Sequence, residues 1–94
     1  MVINAAINNS APVANAGAKQ NVVTGATVTL DGTYSTDADN NQLTYSWQLM
    51  QKPTDSTATL TNPKTSRPTF NADKAGDYVA QLIVNDGYVF SATA

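Results

Sequence analysis

The chain has 94 residues, enough for one domain, with no Cys, no His and a formal net charge of −2. There is therefore no thiol nucleophile, no Ser-His or Cys-His pair and no zinc site of the usual kind; five scattered basic residues on an acidic chain also argue against nucleic acid. Charged residues make up only 13% of the sequence and all seven acids are Asp, which together with abundant Thr and Asn disfavours helices.

Residues 1–11 read as a linker, closing in Asn8-Asn9-Ser10-Ala11-Pro12. Asn8-Asn9-Ser10 has the form of a glycosylation sequon, a triplet common by chance. The segment Met1 to Ile7 lacks a basic start and a long apolar core, so it does not read as a secretory signal. No apolar run approaches the roughly 20 residues that span a bilayer.

The domain proper is expected over 12–94, where the dominant signal is period two. Val13-Ala14 and Gln20 to Val23 are weakly extended, divided by the turn-like Asn15-Ala16-Gly17. Ala26-Thr27-Val28-Thr29-Leu30 alternates small or apolar residues with Thr and stops at Asp31-Gly32. Leu43 to Leu49 places Leu43, Tyr45, Trp47 and Leu49 on one face. Ala58 to Thr61 and Pro68 to Phe70 are short strands, the second marked by its Pro as an edge or a strand start. Tyr78 to Val84 is the strongest strand, with Tyr78, Ala80, Leu82 and Val84 inward. Asp86-Gly87 is a hairpin turn, and Tyr88 to Thr93 returns.

About seven short strands and no helical stretch predict an all-β, immunoglobulin-like β-sandwich, because two half-buried sheets must cover each other. The expected core is Val28, Leu30, Tyr45, Trp47, Leu49, Leu60, Phe70, Tyr78, Leu82 and Val84. Tyr78, after Ala75-Gly76-Asp77, fits a tyrosine corner, whose hydroxyl bonds backbone upstream. The short last strand is expected to leave its neighbour's edge partly open, an invitation to association.

Six motifs in order resemble PKD (polycystic kidney disease) domains. They are Pro12-Val13-Ala14-Asn15-Ala16-Gly17, Val28 to Gly32, Ser35-Thr36-Asp37-Ala38-Asp39, Leu43 to Trp47, Ala75 to Val79 and Leu82 to Gly87. Many such domains follow the Trp with Asp-Phe-Gly-Asp-Gly; here Gln48-Leu49-Met50-Gln51-Lys52-Pro53 follows Trp47, which is similar to a bacterial PKD-like subgroup with a Lys-Pro turn. The resemblance implies an extracellular, non-catalytic spacer or adhesion repeat within a larger secreted or cell-surface protein. Such repeats often stand in tandem or beside a secreted hydrolase. The alternative it implies is an accessory domain of such a hydrolase, binding carbohydrate or protein fibres. Expected partners are neighbouring domains of the same chain and a polysaccharide or protein ligand, with no nucleic acid and no membrane insertion; the isolated domain is expected to be monomeric.

One constellation carries chemistry. Ser35, Asp37, Asp39, Asn40 and Asn41 crowd one loop, and Asp86 sits in a turn that an immunoglobulin-like sandwich brings to the same pole. Calcium takes six to eight oxygen ligands. Some collagenase PKD-like domains hold calcium with a comparable cluster, so the resemblance implies a metal site at Asp37, Asp39 and Asp86, with Asn9 and Ser10 from the entering linker. Against this, Asp and Asn form turns without metal, and exposed carboxylates repel by only about 1 kcal/mol per close pair. An EF-hand is excluded, because Gln42 and Gln48 stand where it needs Gly and Glu. Asp37 and Asp39 read as a general acid/base pair would need a cleft that short loops do not offer. Trp47 phases inward as core. Val79 and Ile83 phase outward, and Tyr34 and Tyr88 are expected to be exposed beside the oxygen-rich pole.

Overall fold

The computed structural model describes Met1 and residues 11–94. Among the described residues four strands form: β1 Thr27–Thr29, β2 Thr44–Gln51, β3 Thr69–Asn71 and β4 Val79–Asn85. β1 pairs antiparallel with β3, and β2 with β4, giving two two-stranded sheets that face each other as a sandwich. Alternation decides which side chains meet. Val28 and Phe70 come inward from one sheet and Trp47, Leu82 and Val84 from the other, and all five are buried. Leu30, Ala58 and Ala72 complete the buried cluster, with Tyr45, Leu49, Leu60 and Tyr78 packed against it in part. The ten core residues expected from the sequence all belong to this assembly; Ala58 and Ala72 were missed because alanine carries little pattern signal.

The expected strands appear in different degrees. Backbone bonds Gly25 N to Ala72 O, Leu30 N to Pro68 O and Gly32 N to Ser66 O extend the β1–β3 pairing well beyond its three-residue ladder. β2 runs two residues past Leu49, through an irregularity between Leu49 and Gln51 that leaves Met50 exposed. The Ala58–Thr61 strand reduces to one bridge, Thr61 to Thr69. In that register the next hydrogen-bonding position towards Ala58 is Asn71, whose carbonyl accepts Asp73 N–H instead (2.9 Å), and Ala58 bonds side chains, donating its N–H to Ser56 Oγ and accepting from Lys52 Nζ. Val13 makes a two-bond bridge with Thr36 (2.8 and 3.0 Å). Gln20 to Val23 is a correction: it pairs with no strand among the described residues, and it is held there by Gln20 Nε2 on Thr29 O at 2.9 Å and by a turn bond from Ala26 N–H to Val23 O at 3.0 Å.

The return segment after the hairpin is irregular for a visible reason. Asn85 pairs with Phe90, but Val84 N–H then donates to the Ser91 side chain (3.0 Å) rather than to a backbone carbonyl. The pairing resumes with two bonds between Leu82 and Ala94 (3.0 and 3.1 Å). One residue more is spent on the return side than on β4, which is a bulge.

The candidate functional site at the sandwich poles

At one pole the oxygen-rich residues build turns. Asp37 accepts the backbone N–H of Asp39 on Oδ1 and of Asn41 on Oδ2, both at 3.1 Å, and Asn40 follows with φ 56°. Asp86 is only 4% exposed, and its Oδ1 accepts the N–H of Tyr88 and of Val89, both at 2.8 Å. Asn85 Oδ1 accepts the N–H of Gly87, whose φ of 97° suits glycine and makes the tight turn possible. These are Asx turns, in which the side chain satisfies backbone donors that no strand partner reaches. Asp39 stands exposed beside them. Asn9 and Ser10 lie outside the described residues. Among the described residues, no three acidic side chains gather closely enough to hold a metal ion. Tyr34 and Tyr88 are 71% and 72% exposed, as expected, and Phe90 joins them at 72%. Val79 is exposed and Ile83 half-buried.

The opposite pole holds a polar hub that sequence reading missed. The Tyr78 hydroxyl donates to Lys74 O at 2.8 Å and accepts Lys74 N–H at 2.9 Å, which makes the tyrosine corner. It also lies 3.1 Å from Asp73 Oδ1. Asp73 in turn accepts Ser56 Oγ at 2.6 Å, Thr57 N–H at 2.8 Å and Thr57 Oγ1 at 3.2 Å. One carboxylate thus ties the turn before Ala58 to the turn before β4. The Tyr78 ring packs on Phe70, with centroids 5.1 Å apart. The signal was an Asp five residues before the corner Tyr, legible only once the fold brings Ser56 and Thr57 alongside.

Asp73 and Asp31 are acidified. Ser56, above all, and then the Thr57 N–H hold Asp73 far below its ordinary value of 3.8. Thr33, through its side chain and its N–H, lowers Asp31, with a smaller contribution from Arg67 at 3.7 Å. A carboxyl depressed in the folded state contributes stability that is present above its unfolded value and lost as pH falls towards its folded one. The domain should therefore lose stability progressively below about pH 4. Asp73→Asn should lower the melting temperature at neutral pH and flatten the acid limb; melting curves from pH 7 to 2 check this, and an unchanged acid limb would remove Asp73 from the account.

Beside this hub a groove of about 620 Å³ runs between residues 16–22 and Tyr78–Ala80, reaching down to Val28 and Phe70. No helix among the described residues is long and apolar enough to cross a membrane.

Residues 16–94 match the family described as K319L-like, PKD domain. PKD domains are generally non-catalytic structural or interaction modules and are typically extracellular. Among solved structures, the chain is similar to a nucleoside hydrolase-related hypothetical protein from Saccharophagus degradans that is associated with carbohydrate metabolism, with a TM-score of 0.68 and 22% identity. That similarity covers 88% of this chain and 24% of the other, so this chain spans about a quarter of that protein's length. No curated protein matches.

Proposed function

The chain belongs to the K319L-like PKD domain family, and from that premise we propose that it is an extracellular spacer or adhesion repeat within a larger secreted or cell-surface protein. The observation that carries this reading is the path of the chain through the sandwich. Val13 is fixed to Thr36, just before the Asp37 turn that leads to Thr44 and its partner Asn85. The last segment leaves Asn85 and runs antiparallel along β4 to Leu82, heading for the Val79 end. The chain therefore enters at one pole and heads out towards the other, which transmits length and tension along a row of domains. Val79 and the poles are the surfaces that meet neighbouring domains.

A second reading, an accessory domain binding carbohydrate or protein fibres, draws on the exposed rings of Tyr34, Tyr88 and Phe90. It also draws on the similar protein's association with carbohydrate metabolism. Calcium at Asp37, Asp39 and Asp86 with Asn9 and Ser10 is compatible with either. The separating experiment is sedimentation of the domain with cellulose, chitin and collagen fibres, with and without millimolar calcium. A spacer stays in the supernatant in every case. Retention that disappears in Tyr34→Ala, Tyr88→Ala would replace the spacer reading with the accessory one. Melting curves in the same buffers test the metal. A calcium-dependent rise absent from Asp37→Ala, Asp39→Ala assigns the site, and no rise removes it.

A further inference from the structure

The pairing between β3 and the segment 57–61 opens once and closes again. Thr61 and Thr69 exchange both backbone bonds, at 2.7 and 3.2 Å. In an antiparallel ladder the next hydrogen-bonded pair in that phase is Thr59 with Asn71. Neither bond of that pair forms. Asn71 O accepts Asp73 N–H at 2.9 Å, while the Asn71 N–H and the N–H and C=O of Thr59 have no partner among the described residues. One step further the two segments are drawn together again. Asp73 Oδ2 accepts the N–H and Oγ1 of Thr57, and Oδ1 accepts Ser56 Oγ. The result is a window one residue pair wide, framed at both ends. A cavity of about 460 Å³ lies over it, lined among others by Thr27, Thr61, Thr69 and Asn71. These side chains share the sheet face opposite to Val28 and Phe70. The hydroxyls of Thr27, Thr59, Thr61 and Thr69 and the Asn71 carboxamide carry no hydrogen bond among the described residues.

These surroundings select a ligand chemistry. No Lys or Arg lines the cavity, so nothing there holds an anion. Its one carboxylate, Asp73, is taken up by Ser56 and Thr57, which leaves little for a cation. An added peptide strand needs several consecutive free edge positions, and here the positions on both sides of the opening are occupied. What fits is a neutral molecule whose neighbouring groups each donate and accept, and vicinal sugar hydroxyls do both.

We propose that this window binds one pyranose unit of a neutral glycan. Its hydroxyls bond Asn71 N–H and Thr59 C=O within the opening, and the Asn71 carboxamide and Thr59 hydroxyl at its rim. The proposal rests on the accessory-domain reading and deepens it, placing the glycan contact on β3 rather than on Tyr34, Tyr88 and Phe90. The frame is already built, because Asp73 and the Thr61–Thr69 pair hold the opening at both ends, so the ligand meets groups that need little ordering. A single shallow site of this size gives millimolar affinity, which soluble oligosaccharides reveal and fibre sedimentation does not.

Titration of the isotope-labelled full chain with cellohexaose, chitohexaose and mannohexaose, followed through its amide chemical shifts, provides the test. At least one of the three should move the Asn71 and Thr59 amides together at millimolar concentration. Asn71→Ala should weaken that binding roughly tenfold. Thr59→Val, which keeps the side-chain shape and removes the hydroxyl, should weaken it severalfold. Both variants should melt as the parent does, because neither side chain has a hydrogen-bond partner within the described residues. If none of the three sugars moves any amide, the proposal and the accessory reading fall together. Shifts confined to Tyr34, Tyr88 and Phe90 overturn the proposal and leave the accessory reading standing. So does binding that both Asn71→Ala and Thr59→Val leave intact.

Discussion

Leu82→Ala should lower the unfolding free energy by roughly 2–5 kcal/mol. Leu82 is fully buried, at 0% exposure, in the middle of β4 and directly across from Trp47. Truncation removes three carbons from a site whose neighbours have little room to follow. Its backbone is fixed on both sides, by the β2 register and by the two bonds to Ala94. The cavity therefore collapses little, which places the cost towards the upper part of the range. A domain of this size holds roughly 5–15 kcal/mol in total, so the loss is a large share of the whole. Urea unfolding measures it as a fall in midpoint at unchanged slope. A fall of less than about 1 kcal/mol would mean that the two sheets do not close over this residue.

Gly32→Ala should destabilise from the opposite cause. Gly32 is buried, and a Cβ there would lie 3.0 Å from Leu82 Cδ2, 3.0 Å from Trp47 Cζ2 and 3.3 Å from Tyr45 Cδ1. Two of those atoms belong to rings that cannot bend aside. Overpacking of this kind costs roughly 1–3 kcal/mol, and the stiffer unfolded chain returns about 0.4–1, so the net sign is a loss. The double variant separates this from a backbone effect. Leu82→Ala removes one of the three obstructing atoms, so the pair should cost less than the two single changes together. Strict additivity would show that Gly32 is not pressed against Leu82.

The pattern that made the fold legible was the alternation in three places: Val28 with Leu30, Tyr45-Ser46-Trp47, and Leu82-Ile83-Val84. Each is a strand with one buried face, and the structure buries the expected side. The tyrosine corner was legible because its spacing is local, Tyr78 standing four positions after Lys74. Ala58 to Thr61 read as a strand because its composition suits one, but strand formation also needs a partner with free groups, and the Asn71 carbonyl next in register is taken by Asp73 N–H. Gln20 to Val23 carries β-branched residues that remain exposed, with Val23 at 78%, because nothing among the described residues pairs with them. Composition cannot report a missing neighbour. The Asp73 hub was illegible for the same reason: its donors Ser56 and Thr57 are seventeen and sixteen residues away and meet it only after the sheets close. At the opposite pole, the turn-forming roles of Asp37 and Asp86 were visible in the sequence as Asx-turn chemistry.

The central claim is that two antiparallel pairs close over one indole. Trp47 is the only Trp in the chain and is 4% exposed, so its fluorescence reports on that closure alone. The native domain should emit at short wavelength and resist acrylamide quenching, and both properties should vanish in one cooperative urea transition that coincides with the loss of the β-sheet circular dichroism. A native spectrum already red-shifted and freely quenched would contradict the two-layer arrangement.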